Sequence, residues 1–205
     1  MKTQLIRIAA AFISGSLIMI LHEFPKAILF YIINPSKDKK DKNIIFKLHH
    51  YIDPIGIIFC ITSMAGFSKP YMYRIKDKKT NFILGIAGFA SLALTFIISV
   101  LILRFGIGMN SDFTYDANIG TTDLILQYIM VYMALLSISM FIVNLFPVST
   151  FDMGLCIAGK SPNKFFSIIR NDYLIKMILF FAMILQIIAN ISTTILRMLL
   201  WRGNI

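Results

Sequence analysis

Long apolar runs alternate along the chain with short polar breaks. The first run covers about residues 5–33 and has His22, Glu23 and Lys26 inside it; three more follow, Asn81 to Arg104, Leu124 to Phe146 and Leu174 to Leu199. Each, wound as a helix at about 1.5 Å per residue, is long enough to cross the roughly 30 Å hydrocarbon core of a bilayer. A fifth apolar run, IDPIGIIFCITSMAGF at residues 52–67, is shorter and is bounded by Asp53-Pro54 and Lys69-Pro70. A run of that length suits a re-entrant or interfacial element better than a span. The pattern predicts an all-α polytopic membrane protein of about four transmembrane helices plus one re-entrant or interfacial element. It forms a single domain over residues 1–205, with no internal repeat at a fixed period. No small-residue cleavage site follows the first apolar run, so the run is expected to be a retained span and not a signal peptide. Pro25 within it is expected to tilt or kink the helix, with the bend at about Leu21.

Composition agrees with the pattern: 58% of the 205 residues are hydrophobic and 15% charged, against an apolar share of about 45–50% in soluble domains. The formal net charge of +10 invites nucleic acid as a partner, but the basic residues lie in short loops between apolar runs. There they set topology and touch anionic lipid, so the expected partners are the lipid bilayer and not nucleic acid. Residues 34–50 carry five lysines against two aspartates, and residues 69–79 five basic residues against one aspartate. Both stretches belong on the cytoplasmic side, and they share it only if residues 52–67 do not cross. Residues 106–123 carry three aspartates and no lysine or arginine, which suits the outer face. The segment from Pro147 to Tyr173 returns to the cytoplasm, and both termini are expected outside. The two cysteines, Cys60 and Cys156, lie in apolar surroundings, without the framework of a disulfide-rich domain.

Ionisable groups inside a membrane-length segment are rare and mark sites or pathways, which draws attention to LHEFPKA at residues 21–27. Two further stretches belong with it: HHYIDPIG at 49–56 followed by GFSKP at 66–70, and NLFPVSTFDMG at 144–154. In this order they resemble the motifs of the site-2 protease family of intramembrane zinc metalloproteases, in particular its short bacterial members. The resemblance covers roughly residues 15–175. It implies that His22 and Asp152 are metal ligands, Glu23 the catalytic general base, and Asn144 and Pro147 the residues that shape the segment bearing Asp152. It implies a zinc cofactor, a multi-pass protein of a bacterial cell membrane, and a transmembrane segment of another membrane protein as substrate or ligand.

The match is incomplete. A hydrolytic zinc site uses three nitrogen or oxygen ligands and an open position for water. The family's second histidine would stand four residues after His22, on the same helix face, and that position holds Lys26. An ammonium does not ligate zinc. Elsewhere Asp152-Met153-Gly154 replaces Asp-Gly-Gly, AGFASL at 87–92 lacks the family's proline and asparagine, and Phe67 stands for its tryptophan. Cys156, one turn after Asp152, is read as a small hydrophobe in preference to a substitute ligand. The adjacent His49 and His50 diverge and belong to a solvated loop. Lys26 reaches Glu23 at i+3 and, across the fold, is expected to reach Asp152, replacing the charge of the metal. The expected function is therefore that of a site-2-protease-like membrane protein whose zinc-dependent peptide-bond hydrolysis is impaired or lost. The alternatives are a non-catalytic protein that binds a partner transmembrane helix, and an active zinc metalloprotease with a replaced ligand. A small transporter is the remaining reading, but no repeated half supports it.

Overall fold

The computed structural model describes residues 2–33, 45–70, 77–107 and 121–200. Among these residues the regular structure is helical: α1 (Lys2–Ile33), α2 (Pro54–Ser63), α3 (Lys78–Leu101, continued by a π-helical turn Ile102–Ile107), α4 (Thr121–Asn144), α5 (Asp152–Lys160), α6 (Pro162–Ile184) and α7 (Ile187–Leu200). A short 3-10 turn, Leu48–Tyr51, precedes α2. The lysine-rich stretches at 34–44 and 71–76, most of the acidic loop and Arg202 lie outside the described residues.

The chain is an all-α polytopic membrane protein. Helices α1, α3 with its π turn, and α4 are each long and apolar enough to cross a bilayer, and α6 with α7 makes a fourth crossing if that bent pair is counted as one. The exterior is apolar, unlike that of a soluble helix bundle, and the interior mixes large apolar side chains such as Ile18, Met19, Leu92, Leu136 and Met140 with small and polar ones. On α1, Ala10, Ala11, Ser14 and His22 are buried, whereas Leu5, Ile8, Phe12 and Ile32 are exposed. Leu94, Ile97, Ile98 and Leu101 do the same on α3. Lipid covers these side chains, so packing among the helices rests on close fit and not on removal of apolar surface from water.

Pairings across the bundle give its topology. Ser91 of α3 donates to the His22 carbonyl of α1 at 3.4 Å, while Phe30, later in α1, packs with Leu84, earlier in α3. These helices are therefore antiparallel, and α3 begins at the end of the bundle where α1 finishes. Residues 52–67 do not cross, as expected. Their helix α2 has ten residues, about 15 Å of rise and half of what a crossing needs. Asp53 caps it by accepting from the Ile55 and Gly56 amides, both at 2.9 Å; Pro54 occupies the first turn, and Met64, at φ 48°, ends it in the left-handed region.

Helix α1 runs through Pro25 as one helix, since proline removes one backbone bond while the flanking turns stay packed on α3 and α4. The run from Leu174 to Leu199 is not one straight helix: it breaks at Leu185–Gln186, where α6 and α7 meet at 58°. Gln186 has φ 57°, a left-handed conformation that no straight helix contains.

Candidate functional site

Helix α1 brings three ionisable groups onto one face at the basic end of the bundle. His22, Glu23 and Lys26 are all buried, and the fourth member, Asp152, starts α5 and is also fully buried. The ammonium Nζ of Lys26 donates to Glu23 Oε1 at 2.7 Å and to Asp152 Oδ1 at 2.8 Å. His22 Nε2 lies 2.6 Å from Asp152 Oδ2, so both oxygens of that carboxylate are engaged. The lysine bridge expected from the sequence is therefore present.

Ser68, which the motif comparison did not single out, closes the ring. Its hydroxyl donates to Glu23 Oε1 at 2.8 Å, and its oxygen lies 2.7 Å from His22 Nδ1. The His22 ring thus lies between the Ser68 hydroxyl and the Asp152 carboxylate, and the Lys26 ammonium bridges the two buried carboxylates. Such pairing matters at this depth, because an uncompensated buried charge costs several kcal/mol, of the order of ~3–5 when one partner of a pair is removed.

Local chain geometry explains how these side chains meet. Asn144, the last residue of α4, donates from Nδ2 to the Met140 carbonyl at 2.9 Å and accepts the Asp152 amide on Oδ1 at 3.4 Å. The turn through Pro147 is pinned where the Val148 amide donates to the Phe146 carbonyl at 2.7 Å. Asn144 and Pro147 thus do shape the segment that presents Asp152. Gly88 of α3 faces that carboxylate so closely that a Cβ there would overlap it. In Asp53-Pro54-Ile55-Gly56 the glycine plays a similar part: a Cβ on Gly56 would strike the Phe67 carbonyl. Bare backbone at Gly56 lets the 65–70 loop lie on α2, and the Lys69 amide, donating to the Tyr51 carbonyl at 3.0 Å, holds Ser68 in place. The only sequence signals for Ser68 and Gly88 were their places inside GFSKP and AGFASL.

Other candidates fall outside the ring. Cys156 lies a turn beyond Asp152 but is directed at Gly85 of α3. His49 and His50 are exposed, their rings 4.5 Å apart. Local desolvation by the surrounding chain, then the neighbouring His49, Lys47 and Lys69, lower the His50 pKa.

The donor set, as arranged, does not fit a zinc ion. Zinc ligands sit about 2.0–2.2 Å from the metal, so two of them on a tetrahedral ion stand about 3.4 Å apart. His22 Nε2 and Asp152 Oδ2 are 2.6 Å apart, a hydrogen-bond distance, and Lys26 Nζ occupies the space beside them. Among the described residues no group of three or more His, Cys, Asp or Glu is disposed to hold a metal. No family model, curated protein or solved structure matches this chain.

Proposed function

We propose that this chain is a site-2-protease-like protein of a bacterial cell membrane in which a lysine-centred ion network stands where hydrolytic members hold zinc. It binds a transmembrane segment of another membrane protein and does not cut it. The observation that carries the reading is the position of Lys26 Nζ between Glu23 and Asp152. Convergence of His22 with Asp152, 130 residues apart in the chain, supports the family part, since motif order alone led to that pairing.

The same contacts argue against hydrolysis. A general base needs a free lone pair directed at the water it activates, whereas Glu23 Oε1 already accepts from an ammonium and a hydroxyl. A cleft of about 340 Å³ reaches the ring at Ser68 and is walled by Phe67, Phe151 and Phe180. Its aromatic walls, flanked by Asp53, Lys69 and Lys176, suit an apolar side chain of such a segment, and its contact with Ser68 supports binding beside the ion network.

A model transmembrane substrate in proteoliposomes separates the possibilities. The expected result is co-purification of intact substrate with the wild-type protein, weakened by Phe67→Ala, with no cleavage by wild type or Glu23→Gln. Cleavage by wild type that Glu23→Gln abolishes would overturn the proposal, as would stoichiometric zinc that disappears in Asp152→Ala. Lys26→His tests the ancestry: chelator-sensitive zinc binding gained by this single change is expected if the remaining ligands descend from a metal site.

A further inference from the structure

A second cavity, separate from the ion network, lies on the flank of α5. It has a volume of about 790 Å³ and is bounded by Phe82 of α3, Met153 and Ile157 of α5 and Ile168 of α6, together with Lys160 and Lys164. Its volume falls in the upper part of the range, ~300–1,000 Å³, typical of pockets for small amphiphilic ligands. Its lining joins the two lysines, beside the turn between α5 and α6, to aliphatic and aromatic side chains and to the polar Ser161, Ser167 and Asn171.

Among the described residues neither Lys160 nor Lys164 pairs with a carboxylate, and no described Asp or Glu lines the cavity. Asp172, on the same helix as Lys164, is committed elsewhere: it binds Lys176 at 2.6 Å and accepts the Ser149 amide at 2.7 Å. Phe82 of this wall, and Phe166 and Ile169 near Ile168 on α6, are exposed apolar side chains. An occupant can therefore enter sideways from the bilayer while its polar end stays at the water boundary, where lysine stems extend along apolar surface and keep their ammonium groups wet.

We infer that this cavity is a binding site for one acidic glycerophospholipid, with an acyl chain along Phe82, Met153, Ile157 and Ile168 and the headgroup phosphate between Lys160 and Lys164. The apolar slot selects a lipid over a free anion, and the paired lysines select an acidic headgroup over a zwitterionic one. The inference rests on the membrane-spanning fold and is independent of whether the chain hydrolyses peptides.

The test uses the full chain in nanodiscs of phosphatidylcholine, with or without phosphatidylglycerol of the same acyl chains. Bound lipid is counted by native mass spectrometry after mild release, and thermal unfolding is followed in parallel. Wild type is expected to retain one phosphatidylglycerol and to unfold at a higher temperature when that lipid is present. Lys160→Gln with Lys164→Gln is expected to weaken retention about twenty-five-fold, the product of two surface lysines each worth about a five-fold factor near anionic lipid. Lys47→Gln with Arg170→Gln removes equal charge from exposed positions outside the cavity and is expected to leave retention unchanged. Ile168→Trp, which fills the slot, is expected to displace the lipid with both lysines intact. Equal loss in the two charge-removal pairs would overturn the inference, as would equal retention of the two lipids. Protection by glycerol phosphate matching that by the whole lipid would overturn it too.

Discussion

At the scale of single residues, Lys26 decides the character of the site. It ties together two carboxylates that the bundle buries, and its removal leaves both without their shared cation. Lys26→Met is expected to destabilise the fold by about 3–5 kcal/mol, read from thermal or denaturant unfolding in detergent. Adding Asp152→Asn to that variant should restore part of the loss. A Lys26→Met protein within half a kcal/mol of wild type, on the order of an ordinary surface change, would show that the bridge does not bear on stability. Ser68→Ala removes one bond from His22 and one from Glu23, and a loss of about 1–3 kcal/mol is expected from the buried groups left behind.

At the scale of elements, close approach of backbones matters more than side-chain bulk. Helix α5 lies against α3 where Gly85 and Gly88 face the Asp152 backbone and carboxylate. Gly88→Ala therefore pushes a methyl group into the ion network, and a loss of about 1–3 kcal/mol is expected from the forced shift. A Gly88→Ala protein as stable as wild type would mean that α3 and α5 slide freely. Helix α3 has its own cap: the Thr80 hydroxyl and amide donate to the Asp77 carboxylate and hold it below its ordinary value of 3.8. A carboxylate depressed in this way stabilises the fold fully above its unfolded value, and the contribution is lost as pH falls through the lower folded value. Unfolding of wild type and Asp77→Asn compared across pH is expected to show a gap at neutrality that closes in acid.

At the scale of the whole molecule, antiparallel α1 and α3 with a non-crossing α2 put residues 45–51, 69–70, 77–79 and 147–164 at one end of the bundle, and residues 104–107 and 121–123 at the other. The excess of lysine and arginine at the first end predicts that it faces the cytoplasm. Single cysteines placed in residues 106–123, with Cys60 and Cys156 replaced, are expected to react with a membrane-impermeant thiol reagent in intact cells. Cysteines placed in residues 34–50 should react only after lysis, and the reverse pattern would invert the orientation. The ion network sits at this basic end of the bundle, and Lys160 and Lys164 of the second cavity lie at the same end.

Apolar run length alone determined that the chain is a helical membrane protein, because only helices of that length satisfy their backbone groups in lipid. It also separated the short 52–67 segment from the true spans. The motif order was enough to pair His22 and Glu23 with Asp152, and the i+3 spacing placed Lys26 beside Glu23. Two things were not legible. Ser68 lacked a periodic or charge signal, and it joined the ring only because Gly56 allows a loop to rest on α2. The break at Gln186 depends on a backbone conformation that no local residue preference announces. The contact of Lys26 with Asp152, expected once the motifs were paired, and the 2.6 Å approach of His22 to Asp152 take their geometry where α1, α3 and α5 converge. Side chains 126 and 130 residues apart in the chain meet there because packing brings them together, and charge balance in a buried site depends on which groups meet, which spacing along one helix does not specify.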